Sequence, residues 1–106
     1  MIAKSSSVVM DGLHPRIDEI IPIIDEVYWR ELGYEAICTS ARDSHSAGLH
    51  PLGRALDLRT WTSPDSGKQI SKLTRKRLSY RLEDAIGPEF QVVTEPDHIH
   101  IEFDSG

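Results

Sequence analysis

His50 and Asp57 stand seven residues apart with Gly53 and Ala55 between them, and a second polar set, Glu95-Pro96-Asp97-His98-Ile99-His100, follows near the C-terminus. Two neutral imidazoles, one carboxylate and an open coordination position describe a catalytic zinc site, with a further acidic group to handle protons. A His-x6-Asp pair alone is weak evidence, because a loop histidine beside a solvated aspartate has the same spelling. The His-x-His run adds weight. Alternate residues of a strand share one face, so His98 and His100 would present their ring nitrogens side by side.

Such residues must be carried by elements that bring them together. His14 to Leu32 reads as a helix: Ile17, Ile20, Ile21, Ile24 and Tyr28 recur at helical spacing, Pro15 stands near the start and Gly33 just past the end. Pro22 predicts either a kink or two abutting short helices. Tyr34 to Thr39 reads as a strand and Ser40 to Leu52 as a polar loop. Arg54 to Trp61 alternates as a second strand, with Leu56 and Leu58 on one face and Ala55, Asp57 and Arg59 on the other. A turn over 62–67 leads into a second helix, starting at Lys68 or Ser71 and ending at Ile86, on the strength of Ile70, Leu73, Leu78, Leu82, Ala85 and Ile86; Gly87-Pro88 stops it. Phe90 to Thr94 and His98 to Phe103 close the chain as strands. In the last one Ile99, Ile101 and Phe103 form one face and His98, His100 and Glu102 the other. Two strands thus each turn an apolar side to a core and ligand-type residues to the reverse. The expected architecture is a single α+β domain over 1–106, a small antiparallel sheet packed against two helices, with the site on the open side of the sheet.

Composition narrows the classes. The chain has 106 residues, 39% of them hydrophobic and 27% charged, which supports one modest core and an ordinary soluble surface. A net charge of −5 argues against a nucleic-acid partner. No apolar run approaches the roughly 18 residues that span a bilayer, so no membrane partner is expected, and the N-terminus lacks the apolar stretch of a secretory signal. Synthesis in the cytoplasm is expected, with any work outside relying on another release route, and the protein is expected to be a monomer. Cys38 is the single cysteine, which excludes an internal disulfide and a thiolate zinc site and suggests a buried structural thiol. His45 and His14 read as a solvated loop histidine and a structural residue at a helix start, and Trp61 as packing. The basic series Lys68, Lys72, Arg75, Lys76, Arg77 and Arg81 reads as the solvated face of the second helix.

The stretch Ser46-Ala47-Gly48-Leu49-His50-Pro51-Leu52-Gly53-Arg54-Ala55-Leu56-Asp57 resembles the (S)-x-H-x-x-G-x-A-x-D signature of the zinc D-alanyl-D-alanine carboxypeptidase family, and Glu95 to His100 resembles its second motif, an acidic or histidine residue followed by His-x-His. One departure is that Gly48 or Leu49 stands where the signature usually places its serine. The family includes phage peptidoglycan endopeptidases and shares its fold with the hedgehog signalling domain. The resemblance covers the chain from about residue 14 onward, in order and spacing.

It implies a hedgehog-like zinc fold in which His50, Asp57 and His100 bind Zn2+ with water in the fourth position. A Glu-x-x-His form of the motif would instead make His98 the ligand. Glu95 is implied as the general base, with Asp97 as its rival, and His98 is implied near the scissile bond. Arg42 corresponds to the arginine these enzymes place in the cleft for the oxyanion; otherwise it is a surface arginine paired with Asp43. The activity implied is hydrolysis of a peptide bond in bacterial peptidoglycan, by a carboxypeptidase or endopeptidase of phage or prophage type acting on the cell wall after release or virion delivery. The alternatives are a zinc-containing binding module, as in the hedgehog domain, and a metal-free structural domain.

Overall fold

The computed structural model describes residues 1–43 and 49–103; Ser46, Ala47 and Gly48 of the first motif and His45 lie outside the described residues. Five strands and two helices follow in the order β1 (Ile2–Ala3), α1 (Pro15–Leu32), β2 (Ile37–Ser40), β3 (Ala55–Arg59), α2 (Lys72–Ile86), β4 (Phe90–Thr94) and β5 (His98–Phe103). The sheet order is β1-β2-β3-β5-β4. The expected α+β class is present, but the sheet is mixed rather than antiparallel, because β1 pairs with β2 in parallel, Ile2 opposite Ile37 and Ala3 opposite Cys38. Two residues are too few to show a period of two. This short strand is held instead by the chain's own terminus: the α-ammonium of Met1 lies 2.5 Å from Asp25 and 2.9 Å from Glu35.

α1 is one unbroken helix. The Nδ1 of His14 accepts the backbone N–H of Arg16, Pro15 takes the first helical position where its missing N–H costs nothing, and Gly33 at φ 81° closes the end. Pro22 therefore neither splits the element nor separates two shorter ones. Ile17, Ile20, Ile24 and Tyr28 are buried along its inner stripe. α2 starts at the later of the two expected points, with the Ser71 hydroxyl accepting the Thr74 N–H. Its buried stripe is Leu78, Leu82 and Ile86. Leu73, expected to share that stripe, is 79% exposed. At roughly 100° per residue it lies about 140° around the helix from Leu78, outside the buried stripe.

Both helices pack on one face of the sheet, over Leu56, Leu58, Ile99, Ile101 and Phe103, all buried. Cys38 joins this core fully buried, and burial pushes its thiol up to about 12. The opposite face of β3 and β5 carries Asp57, Arg59, His98, His100 and Glu102, none of them fully buried. The alternation of the two strands therefore produces a dry side and a polar side, and their antiparallel register sets Asp57 opposite His100 and Arg59 opposite His98.

Candidate metal centre

The loop that delivers His50 is fixed by Gly53. Its φ of 73° lies in the left-handed region, and a Cβ there would stand 2.6 Å from the Gly12 carbonyl oxygen and 3.1 Å from Leu13 Cα. The turn consequently packs against the segment leading into α1, where the Gly53 carbonyl accepts the His14 N–H at 2.8 Å. A glycine is therefore required at this bend. The closure brings His50 over the polar face of β3.

Three imidazoles meet one carboxylate oxygen. From Asp57 Oδ1, His100 Nδ1 is at 2.8 Å, His50 Nε2 at 3.4 Å and His98 Nε2 at 3.7 Å. One ligand atom from each of His50, Asp57 and His100 lies within 4.8 Å of the others, the single such triad among the described residues. The remaining nitrogen of each histidine is held by an acceptor. His50 Nδ1 is 2.9 Å from the Ala41 carbonyl, His100 Nε2 is 3.0 Å from Glu102 Oε1, and His98 Nδ1 is 2.7 Å from Asp97 Oδ1. An outer acceptor fixes the tautomer and turns the other nitrogen inward, the arrangement that metal-binding histidines need. Donor type and separation therefore allow His50, Asp57 and His100 to hold a metal ion.

The electrostatics follow from the same contacts. The hydrogen bond to Asp57 raises the pKa of His50 and of His100 above the ordinary imidazole value, against the opposing pull of burial. Burial works to raise the Asp57 carboxyl, but hydrogen bonds from His100 and His50 outweigh it and hold the group below the usual carboxylate range. Within the cluster the Asp57 carboxylate thus favours the charged forms of His50 and His100, and they favour its own.

Other expected residues fall elsewhere. The side chain of Glu95 lines a shallow groove with Lys72, Arg75 and Lys76 of α2, and no side-chain hydrogen bond or ion pair among the described residues joins it to the histidines. Its rival Asp97 is bonded to His98. Arg42 donates from Nη1 to the Asp11 carbonyl at 3.0 Å and lies against Gly12. Asp43 does not pair with it; that carboxylate accepts the N–H groups of Val9 and Ala41. His14 is structural, as expected, capping α1 and packing its ring 4.8 Å from that of Phe103. Arg77 and Arg81 of the basic series reach Glu31 of α1 at 3.9 and 3.8 Å, so this part of the series spans the helix pair instead of standing free in solvent.

Glu102 and Arg59 received no role from the sequence. The signal for Glu102 was present in its alternation with His98 and His100, and that for Arg59 in its alternation with Asp57. Glu102→Ala is expected to weaken metal binding at the triad about 10–100-fold, the usual cost of losing such an acceptor, as read by competition for zinc with a chromophoric chelator. Unchanged affinity would show that Glu102 does not orient His100.

No family model, curated protein or solved structure matches this chain.

Proposed function

We propose that this protein is a zinc-dependent hydrolase of peptide bonds in bacterial peptidoglycan, acting on the cell wall after release or virion delivery and adopting a hedgehog-like zinc fold. The observation that carries the reading is the convergence of His50 and His100 on Asp57, each with its outer nitrogen already tied to an acceptor. The resemblance of the two motifs to those of zinc D-alanyl-D-alanine carboxypeptidases supplies the substrate class. Among the described residues, no helix is long and apolar enough to cross a membrane.

When bound, zinc supplies a water of lowered pKa, near 7 in the best-known cases, and a fixed cation beside developing negative charge. The chain's own residues do the rest. Asp57 and the two imidazoles would hold the ion; Ala41 and Glu102 keep the imidazoles turned toward it. His98 stands at the rim with Nε2 facing Asp57 and Nδ1 bonded to Asp97, the orientation in which an imidazole takes a proton at one nitrogen while a carboxylate steadies the resulting charge at the other. We therefore assign proton transfer, first from water and then to the leaving amine, to the His98–Asp97 pair in preference to Glu95. The placement of Glu95 outside the cluster favours one other reading, a zinc-containing binding module without turnover.

Zinc analysis of the purified protein, followed by release of soluble fragments from purified cell walls, separates these readings. Asp97→Asn and His98→Ala are expected to keep zinc and to slow release about 10²–10⁴-fold, the usual share of acid–base catalysis, while Glu95→Gln stays near wild type. A slow Glu95→Gln beside an unimpaired Asp97→Asn would return the base role to Glu95. Bound zinc without any release would leave the binding module.

A further inference from the structure

Next to the triad, on the same face of the sheet, lies a shallow pocket lined by Lys4, Asp57, Arg59, Trp61 and His98. Two of its walls belong to the cluster and the others have no part in holding a metal. Arg59 stands two residues beyond Asp57 on β3, about 7 Å along the strand. Its guanidinium lies 3.8 Å from the centroid of the Trp61 ring, and one N–H donates to the Pro64 carbonyl at 3.1 Å. A stacked guanidinium with one hydrogen bond among the described residues is fixed in orientation and keeps most of its five donors for a planar acceptor. Lys4 adds a second positive charge from the end of β1, where its N–H bonds to the Cys38 carbonyl at 2.9 Å. The two acidic groups at this pocket are already engaged, Asp57 by three histidines and Asp97 by His98. The Asp97 loop is tied down in turn, since Gln69 Nε2 donates to the Asp97 carbonyl at 3.2 Å.

We propose that Arg59, held flat by Trp61 and assisted by Lys4, binds a free carboxylate of the peptide whose scissile bond lies at the triad. Arg59 is a specificity residue. It selects peptides carrying a carboxylate within a residue or so of the cleaved bond over those in which that group is amidated or cross-linked. This inference rests on the hydrolase reading for the identity of the peptide, but the subsite itself is made of residues outside the triad.

The test is an NMR titration of the zinc-loaded protein with N-acetyl-D-alanine and with its amide, observing the Trp61 indole N–H, with Trp29 on the outer surface of α1 as the internal control. Wild type is expected to bind the acid about 10–100-fold more tightly than the amide, the range of a hydrogen bond to a charged group, with the shift at Trp61 and not at Trp29. In Arg59→Gln the ratio should fall toward one, and Arg59→Lys should keep part of it. A ratio between two ligands on the same sample does not depend on the folded fraction. A preference retained in Arg59→Gln would put the carboxylate on the metal and overturn the proposal, as would a wild type with no response at Trp61. Acid-selective binding at Trp61 in a protein that releases nothing from cell walls would uphold the subsite and remove the hydrolase reading alone.

Discussion

Asp57→Asn is expected to lose zinc binding by more than the 10–100-fold of an outer-shell change, to abolish hydrolysis, and to destabilise the metal-free protein. One carboxylate oxygen lies within 3.7 Å of all three imidazoles, so the substitution removes the common partner of the entire cluster. Asparagine fills nearly the same volume, which confines the effect to charge and hydrogen bonding. Its amide oxygen is neutral, and its NH2 adds a donor where His50 and His100 already supply hydrogen bonds. For the metal-free protein the cost is about 1.5–3 kcal/mol, the worth of hydrogen bonding to an ionised group. The sign sets where it is seen. Asp57 has a depressed folded pKa, so its contribution is present above its unfolded value, about 3.9, and is lost as pH falls through the lower folded value. His50 and His100 have raised folded values, so theirs is complete below about 6.5. Urea unfolding without metal should show the largest difference between wild type and Asp57→Asn in the window from about pH 4 to 6.5 set by those unfolded values. A difference that grows steadily above pH 8 would mean that the imidazoles are not the partners of Asp57.

Much of this cluster was legible because a strand has a period of two. Leu56 and Leu58 on one side required Asp57 and Arg59 on the other, and Ile99, Ile101 and Phe103 required His98, His100 and Glu102 opposite, all without knowing how the strands pair. The limits of β4 and β5 fall where Phe90 to Thr94 and His98 to Phe103 place them, since a hairpin with a short turn leaves little freedom. What periodicity does not carry is which way a side chain turns at a strand end. Glu95 follows the last residue of β4, and the turn sends its side chain toward the basic residues of α2, while Asp97 at the other end of the turn meets His98. Sequence spacing treats the two acids alike; the turn separates them. The parallel β1 escaped for another reason. Its hold is the Met1 ammonium between Asp25 and Glu35, and these acids look like solvated helix and loop positions in the sequence, because only the fold brings Met1 to them. Arg42 shows the converse case: the residue lies where a cleft arginine was expected along the chain, and what its guanidinium meets, the Asp11 carbonyl and Gly12, is set by a tertiary contact that spacing does not carry.

The stabilisation conferred by zinc should rise steeply with pH, whereas the metal-free protein should lose stability over the same range. Folded His50 and His100 bind protons more tightly than they do in the unfolded chain, so above about pH 6.5 the native state holds more protons than the unfolded one. The derivative of unfolding free energy with pH is then negative, and stability declines until the raised folded values have been passed. Zinc takes the electron pairs that these protons occupy. Below those values each displaced proton lowers the apparent affinity about tenfold per pH unit, so two give about 100-fold. At saturating metal that is about 2.7 kcal/mol per unit, or on the order of 10 °C in Tm for a domain of this size. Calorimetric scans at fixed free zinc from pH 6 upward should show the zinc-dependent gain in Tm climbing toward that slope and levelling off once both imidazoles are neutral. His100→Ala should remove one of the two protons and one of the ligands, leaving a weak and shallow dependence. A gain in Tm that stays flat with pH in the wild type would place the bound zinc away from His50 and His100, and the centre would have to be sought among other donors.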